Sequence, residues 1–207
     1  MAVSQIIERL LGRVLGVAYF KKGVKEYASA IDKFSKIMEN SQERIWAVSG
    51  EFKNPKIAGA EFADTIKPKI LKAKSENKPF EVRLLFSKSI ENNGETVKVR
   101  KEKAIMKIWD ENKEVAEIFI NEDLNPDMKF LKIYWANKRP EYHFHLSDDD
   151  LLLERKHKPT LGREVLIIKN DKKFADKYKK LFEDMTKMND IIECLDSKEV
   201  LSLKPKF

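Results

Sequence analysis

Two histidines stand two residues apart in His143-Phe144-His145, and the carboxylate run Asp148-Asp149-Asp150 follows at once. An apolar run from Phe130 to Trp135 and then Arg139-Pro140 precede them, so the segment reads as strand, turn, strand. On a strand, residues i and i+2 project to one face. His143 and His145 are therefore expected to share a face and to open on one pocket. His143 has the chemistry of a nucleophile on a phosphodiester, activated and oriented by a carboxylate. His145 has that of a phosphate contact when protonated, although an imidazole of ordinary pKa, about 6.5, is mostly neutral at pH 7. A metal reading uses His143, His145 and one carboxylate of residues 148–150 on Zn²⁺, with water as fourth ligand. The reading without chemistry is a half-buried strand histidine bonded to the backbone, beside a solvated acidic turn. The third histidine, His157, lies in the basic run Arg155-Lys156-His157-Lys158, which is either a phosphate contact or plain surface.

These residues need elements to hold them. Ser4 is placed to cap a first helix running to about Phe20, with Ile6, Ile7, Leu10, Leu11, Val14, Leu15 and Ala18 at helical spacing. Its apolar stripe is broader than the roughly 100° a surface helix buries. It is expected to pack on the main domain, on a second copy of the chain, or on a membrane surface with Arg9, Arg13, Lys21 and Lys22 at its polar edge. The spacing predicts helices over about 24–40, 57–75 (with Phe62, Ile66, Ile70 and Leu71 inward and Pro68 interrupting), 97–119, and from Asp171 through Met185. The last carries Phe174, Tyr178, Leu181, Phe182 and Met185 on one face. Strands are predicted at 44–49, 80–86, 128–135, 141–147, 151–155 and 163–168, paired in one mixed sheet. Helices alternating with strands, then clustered strands, then a helix, give an α/β fold with a mixed β-sheet flanked by helices. The division is an N-terminal amphipathic helix over 1–22, an α/β domain over 23–190 and a C-terminal tail over 191–207.

The formal charge is +7, from 41 Lys and Arg against 34 Asp and Glu, which favours anionic partners such as nucleic acid, phosphate esters or acidic lipid surfaces. Lys and Glu alternate through most of the chain, so mixed, solvated faces are the competing account. One cysteine, Cys194, forbids an intramolecular disulfide and points to a reducing, cytoplasmic setting. Its apolar neighbours, Ile191, Ile192 and Leu195, predict that it is buried. No apolar run approaches the ~20 residues of a membrane span, and residues 6–20 do not read as a signal peptide. No cofactor is expected.

The order of elements, with His-x-His-x4-Asp at the strand cluster, resembles one half of the phospholipase D superfamily fold over about residues 25–187. The family motif is His-x-Lys-x4-Asp, then Gly-Ser-x-Asn, then a strand carrying Glu. His143 stands at the motif histidine, His145 where the family has lysine, and Asp150 at the motif aspartate. The Gly-Ser pair is missing at about His157-Lys158, while Gly162-Arg163-Glu164-Val165-Leu166-Ile167-Ile168 is similar to the Glu strand. The resemblance implies a nucleophilic His143, with His145, Asp150 and Glu164 completing a catalytic set and Arg155, Lys156, His157 and Lys158 near phosphate. It also implies two motifs per site, and this chain carries one, so a homodimer is expected, with the N-terminal helix in the contact. The lost lysine favours a non-catalytic binding or sensor module for an anionic ligand or partner, as in archaeal sugar-sensing regulators of similar fold. The alternative is a homodimeric phosphodiesterase or nuclease using His143.

Overall fold

The computed structural model describes residues 17–21, 24–49, 56–87, 94–122, 130–138, 140, 142–156, 163–188 and 191–205. Among these, eight strands form one sheet: β1 (Val17–Lys21), β2 (Arg44–Ser49), β3 (Glu81–Phe86), β4 (Leu131–Ala136), β5 (His143–Ser147), β6 (Asp150–Lys156), β7 (Arg163–Ile168) and β8 (Ile192–Cys194). Their spatial order is β1-β7-β6-β5-β2-β3-β4-β8. The β2-β3 and β3-β4 pairs are parallel and all others antiparallel. The helices are α1 (Val24–Asn40), α2 (Ala60–Glu76), α3 (Val97–Glu111), α4 (Lys113–Glu122), α5 (Lys172–Thr186) and α6 (Ser197–Ser202). Each expected strand is present in this one mixed sheet.

Alternation along the strands divides the core between two faces. Ile45, Ala47, Val82, Leu84, Ile133, Leu152 and Ile167 pack with Ile31 and Phe34 of α1, Phe62 and Ile66 of α2, Ile105 of α3 and Phe119 of α4. On the other face Trp46, Val48, Leu85, Phe144, Leu146 and Leu151 pack under Phe182 and Met185 of α5. The middle of β2 is apolar on both faces because helices cover both, while β3 carries Glu81 and Arg83 on the α5 face ahead of Leu85. Helix ends follow side-chain chemistry. Thr96 accepts from the Val99 amide to start α3, Asp171 accepts from Phe174 N at 3.2 Å to start α5, and Asp196 caps α6.

Several expectations are corrected. The first helix was expected to reach Phe20, but Val17–Lys21 is a strand antiparallel to β7. The open ladder of β7 offers backbone partners to a segment whose Tyr19 and Phe20 suit a pleated surface. The rest of the expected helix, 1–16, lies outside the described residues. The single helix over 97–119 is two, separated at Asn112, whose buried side chain sits where the chain leaves α3. Pro68 stays inside a continuous α2. Leu71 and Phe174 point outward, at 56% and 42% exposure. Within the segment 191–207, β8 pairs with β4. Cys194 is exposed although it shares the α5 face with the buried Ile192, because it ends β8 at the edge of the sheet. Among the described residues no helix is long and apolar enough to cross a membrane.

Candidate functional site

Strands β5 and β6 make a hairpin around a two-residue turn at Asp148-Asp149. The ladder pairs Ser147 with Asp150, His145 with Leu152 and His143 with Glu154. On its other side β5 pairs His145 with Ala47 of β2. His143 and His145 therefore lie on the α1 face of the sheet, as the two-residue period requires.

The two imidazoles differ in environment. His143 is partly exposed, and His145 is 1% exposed. The ring of His145 lies against Phe34, with centroids 6.2 Å apart. Its Nδ1 has no hydrogen-bond partner, and its Nε2 is 3.8 Å from Oε1 of Glu154, beyond hydrogen-bonding reach. Burial, with His143 acting in the same direction, lowers its pKa from 6.5 to about 3. The nearby carboxylate would favour imidazolium, but desolvation wins, and His145 is a neutral ring at neutral pH. The side chain of Glu154 is 8% exposed and accepts from the Tyr27 hydroxyl of α1 at 3.1 Å.

Glu154 and Tyr27 were not singled out by the sequence reading. The signal for Glu154 was present: counting outward from a two-residue turn at Asp148-Asp149 puts it opposite His143. Tyr27 had no such signal, because its contact depends on how α1 docks on the sheet.

The motif aspartate does not orient either imidazole. Asp150 is four residues along the ladder from the His143–Glu154 pair, about 13 Å of strand. Its Oδ1 accepts from Asn170 N at 2.9 Å, and burial raises its pKa despite that bond and the neighbouring Lys169. It faces a separate cavity of about 360 Å³ at the hairpin end, shared with Lys33, Lys36, Ser147 and Lys169. Asp148 is also not a solvated turn residue. It accepts from Ser41 Oγ, Gln42 N, Glu43 N and Arg44 N at 2.8 to 2.9 Å, which fixes the start of β2 against the hairpin. The zinc set of two imidazoles and one carboxylate of 148–150 is thus not brought to one point. Among the described residues no group of three or more His, Cys, Asp or Glu could hold a metal.

Glu164 is on β7, with its backbone in register with Arg155 and Lys21. Arg155 and Lys156 end β6, while His157 and Lys158 lie outside the described residues.

No protein-family model and no curated protein sequence matches the chain. Solved structures do. An archaeal chromatin protein, TrmBL2, whose structure shows a mode of DNA binding, superposes with a TM-score of 0.51 at 13% identity, over 89% of this chain and 59% of that one. Phosphatidylserine synthase of Haemophilus influenzae superposes at 0.50 and 13% identity, over 91% of this chain and 41% of that one. NucT of Helicobacter pylori gives 0.48 at 12% identity, over 86% and 97%. The synthase has a phospholipase D-superfamily fold. The likeness is one of fold. The mixed sheet flanked by helices is consistent with a phospholipase D-like half-domain. The chain spans less than two thirds of the chromatin protein and of the synthase.

Proposed function

We propose that this chain is a phospholipase D-like module that does not hydrolyse phosphodiesters and instead binds an anionic ligand or partner. The observation that carries this reading is the state of His145. Phosphodiester cleavage of this type needs a fixed positive charge beside the nucleophilic imidazole, to neutralise the phosphate oxygens as charge develops. At that position stands a ring sealed under Phe34, neutral at neutral pH, with its Nδ1 unpartnered. A ring in that state offers phosphate neither charge nor access. The carboxylate that Asp150 would supply is engaged at the far end of the hairpin. The net charge of +7 supports an anionic partner, and Arg155 and Lys156, at the end of β6 beside the His143 position, belong to this reading as phosphate contacts.

A homodimeric phosphodiesterase is the second reading. It is favoured by one feature, the buried carboxylate of Glu154 directly across the ladder from His143, which is the partner a nucleophilic imidazole would use. The two readings separate in a turnover assay with bis(p-nitrophenyl) phosphate, across the oligomeric states present by light scattering. The expected result is no hydrolysis above buffer, and no difference between the wild type and His143→Ala. Hydrolysis abolished by His143→Ala would overturn the binding-module reading in favour of the enzyme.

A further inference from the structure

Helix α5 carries five lysines against three carboxylates, and its charge is arranged differently from that of the other helices. On α3, Lys98 and Lys107 face Glu102 and Glu111 one turn on, and Lys103 meets Glu95. On α2, Lys72 meets Glu76, which also takes Lys78. On α5 none of Lys172, Lys173, Lys177 and Lys180 is in an ion pair among the described residues. At 3.6 residues per turn, Lys173, Lys177 and Lys180 fall on one outward line. That line is opposite the Ala175, Phe182 and Met185 side that packs on the sheet. It places three ammonium groups along about 10 Å of helix.

Beside this line the structure exposes aromatic rings. Phe174 is 42% exposed one turn before Tyr178, and Tyr142 is 49% exposed just ahead of β5. Tyr178 packs edge-on against Phe144 with centroids 5.0 Å apart and lies close enough to Tyr142 for the two phenols to influence each other. Phe174, Tyr178 and Tyr142 thus follow one flank of α5, next to the lysine line. A Lys row alone would be an ordinary solvated face. Phe174 keeps 42% of its surface open beside that row, on the N-terminal turn of a helix whose Ala175, Phe182 and Met185 side is already packed.

We infer that this face of α5, with Lys173, Lys177 and Lys180 for phosphates and Phe174 and Tyr142 for bases, is a docking surface for single-stranded nucleic acid. The inference rests on the binding-module reading above and names its partner and surface. Charge complementarity selects a polyanion. The flanking rings select one whose bases are open to stack, since base–aromatic stacking is available only to unpaired bases and tolerates any sequence. The surface lies on the face of the sheet opposite His143, so binding here does not use the motif residues.

The test is fluorescence anisotropy of a labelled oligothymidylate, and of the same label on a duplex, against the full chain. Three charge-reversal variants are compared: Lys173→Glu/Lys177→Glu/Lys180→Glu on α5, Lys67→Glu/Lys72→Glu on α2, and Arg155→Glu/Lys156→Glu at the end of β6. The expected result is salt-sensitive binding of the single strand. The α5 variant should lower the slope of log K against log salt by about 2, because each single-strand phosphate contact contributes roughly 0.7. The α2 variant should leave that slope unchanged. Phe174→Ala/Tyr142→Ala, an exposed pair whose loss leaves the core intact, should weaken the single strand about tenfold or more and the duplex hardly at all. Equal losses in the α5 and α2 variants, tighter binding of duplex, loss confined to the β6 variant, or an equal preference for anionic vesicles would overturn the inference. So would no binding of either oligonucleotide. Each of these leaves the absence of phosphodiester hydrolysis standing. Hydrolysis dependent on His143 with α5-dependent binding would instead overturn the non-catalytic reading and keep this surface.

Discussion

Replacing Asp148 by alanine is expected to lower the stability of the protein by about 3 kcal/mol or more, although the residue touches no part of the histidine site. Its carboxylate accepts four hydrogen bonds, three from consecutive backbone amides of residues 42–44 and one from the Ser41 hydroxyl. Bonds to a charged group contribute roughly 1.5–3 kcal/mol each, less where water can replace the lost partner, as it can at the exposed Gln42 and Glu43. The backbone adds a second cost. Asp148 has φ of 50°, and a left-handed conformation costs an alanine about 1 kcal/mol that an Asp or Asn largely avoids. Asp148→Asn keeps one acceptor oxygen and the conformational tolerance, so it should lose about half as much. Asp149→Ala makes the comparison fair, because that side chain has no hydrogen bond among the described residues and should cost under about 1 kcal/mol. Denaturant midpoints with equal slopes decide the matter. An Asp148→Ala midpoint close to that of Asp149→Ala would show that the loop before β2 is held by other contacts, such as Lys69 Nζ donating to the Glu39 and Ser41 carbonyls.

The sheet was legible in the sequence because its strands are short, largely apolar runs such as Ile45-Trp46-Ala47-Val48 and Leu131–Ala136. Alternation settles which side chains share a face. That is why the sequence alone places His143 and His145 together. What failed in the sequence reading failed for particular physical reasons. A broad apolar stripe says that a segment will be buried, not in which conformation, and the open edge of β7 drew residues 17–21 into the sheet. Cys194 follows buried Ile192 on the same face of β8, yet it ends that three-residue strand at the open edge of the sheet and is exposed.

The candidate site was legible only in part. Composition marked the histidines, but not that one of them would be sealed under Phe34. Burial depends on the docking of α1, which no local pattern encodes. The motif spacing drew attention to Asp150, when the carboxylate nearer the imidazoles is the one that hairpin register places across from His143, namely Glu154. Helix α5 shows the converse case. Its lysines were visible in the sequence as a mixed-charge helix. Only the structure shows that none of Lys173, Lys177 and Lys180 is in an ion pair among the described residues and that Phe174 is part-exposed beside them.

Between about pH 6.5 and about pH 3, folding is expected to weaken on acidification because of His145. Its pKa is about 3 in the folded protein against an ordinary 6.5. In that window the unfolded chain binds a proton that the native ring refuses, so stability rises with pH and is lost as pH falls. One such group contributes a slope of up to ~1.4 kcal/mol per pH unit, and about 5 kcal/mol across the whole window. Asp150 works with the opposite sign: its raised pKa favours the folded state at acid pH and loses that advantage as pH rises through the shifted value. The two contributions separate by substitution. His145→Leu fills the space among Phe34, Ala47 and Leu152 with an apolar side chain, and should remove the slope between pH 4.5 and 6.5 while leaving stability at pH 8 within about 1.5 kcal/mol. His145→Lys restores the residue of the phospholipase D motif. Burial strong enough to hold an imidazole neutral should be harsher on an ammonium, and this variant should lose about 3 kcal/mol or more without gaining hydrolysis of bis(p-nitrophenyl) phosphate. A His145→Lys protein as stable as the wild type, and able to cleave the diester, would mean that position 145 opens to phosphate. The chain would then be a phosphodiesterase one substitution away from its chemistry.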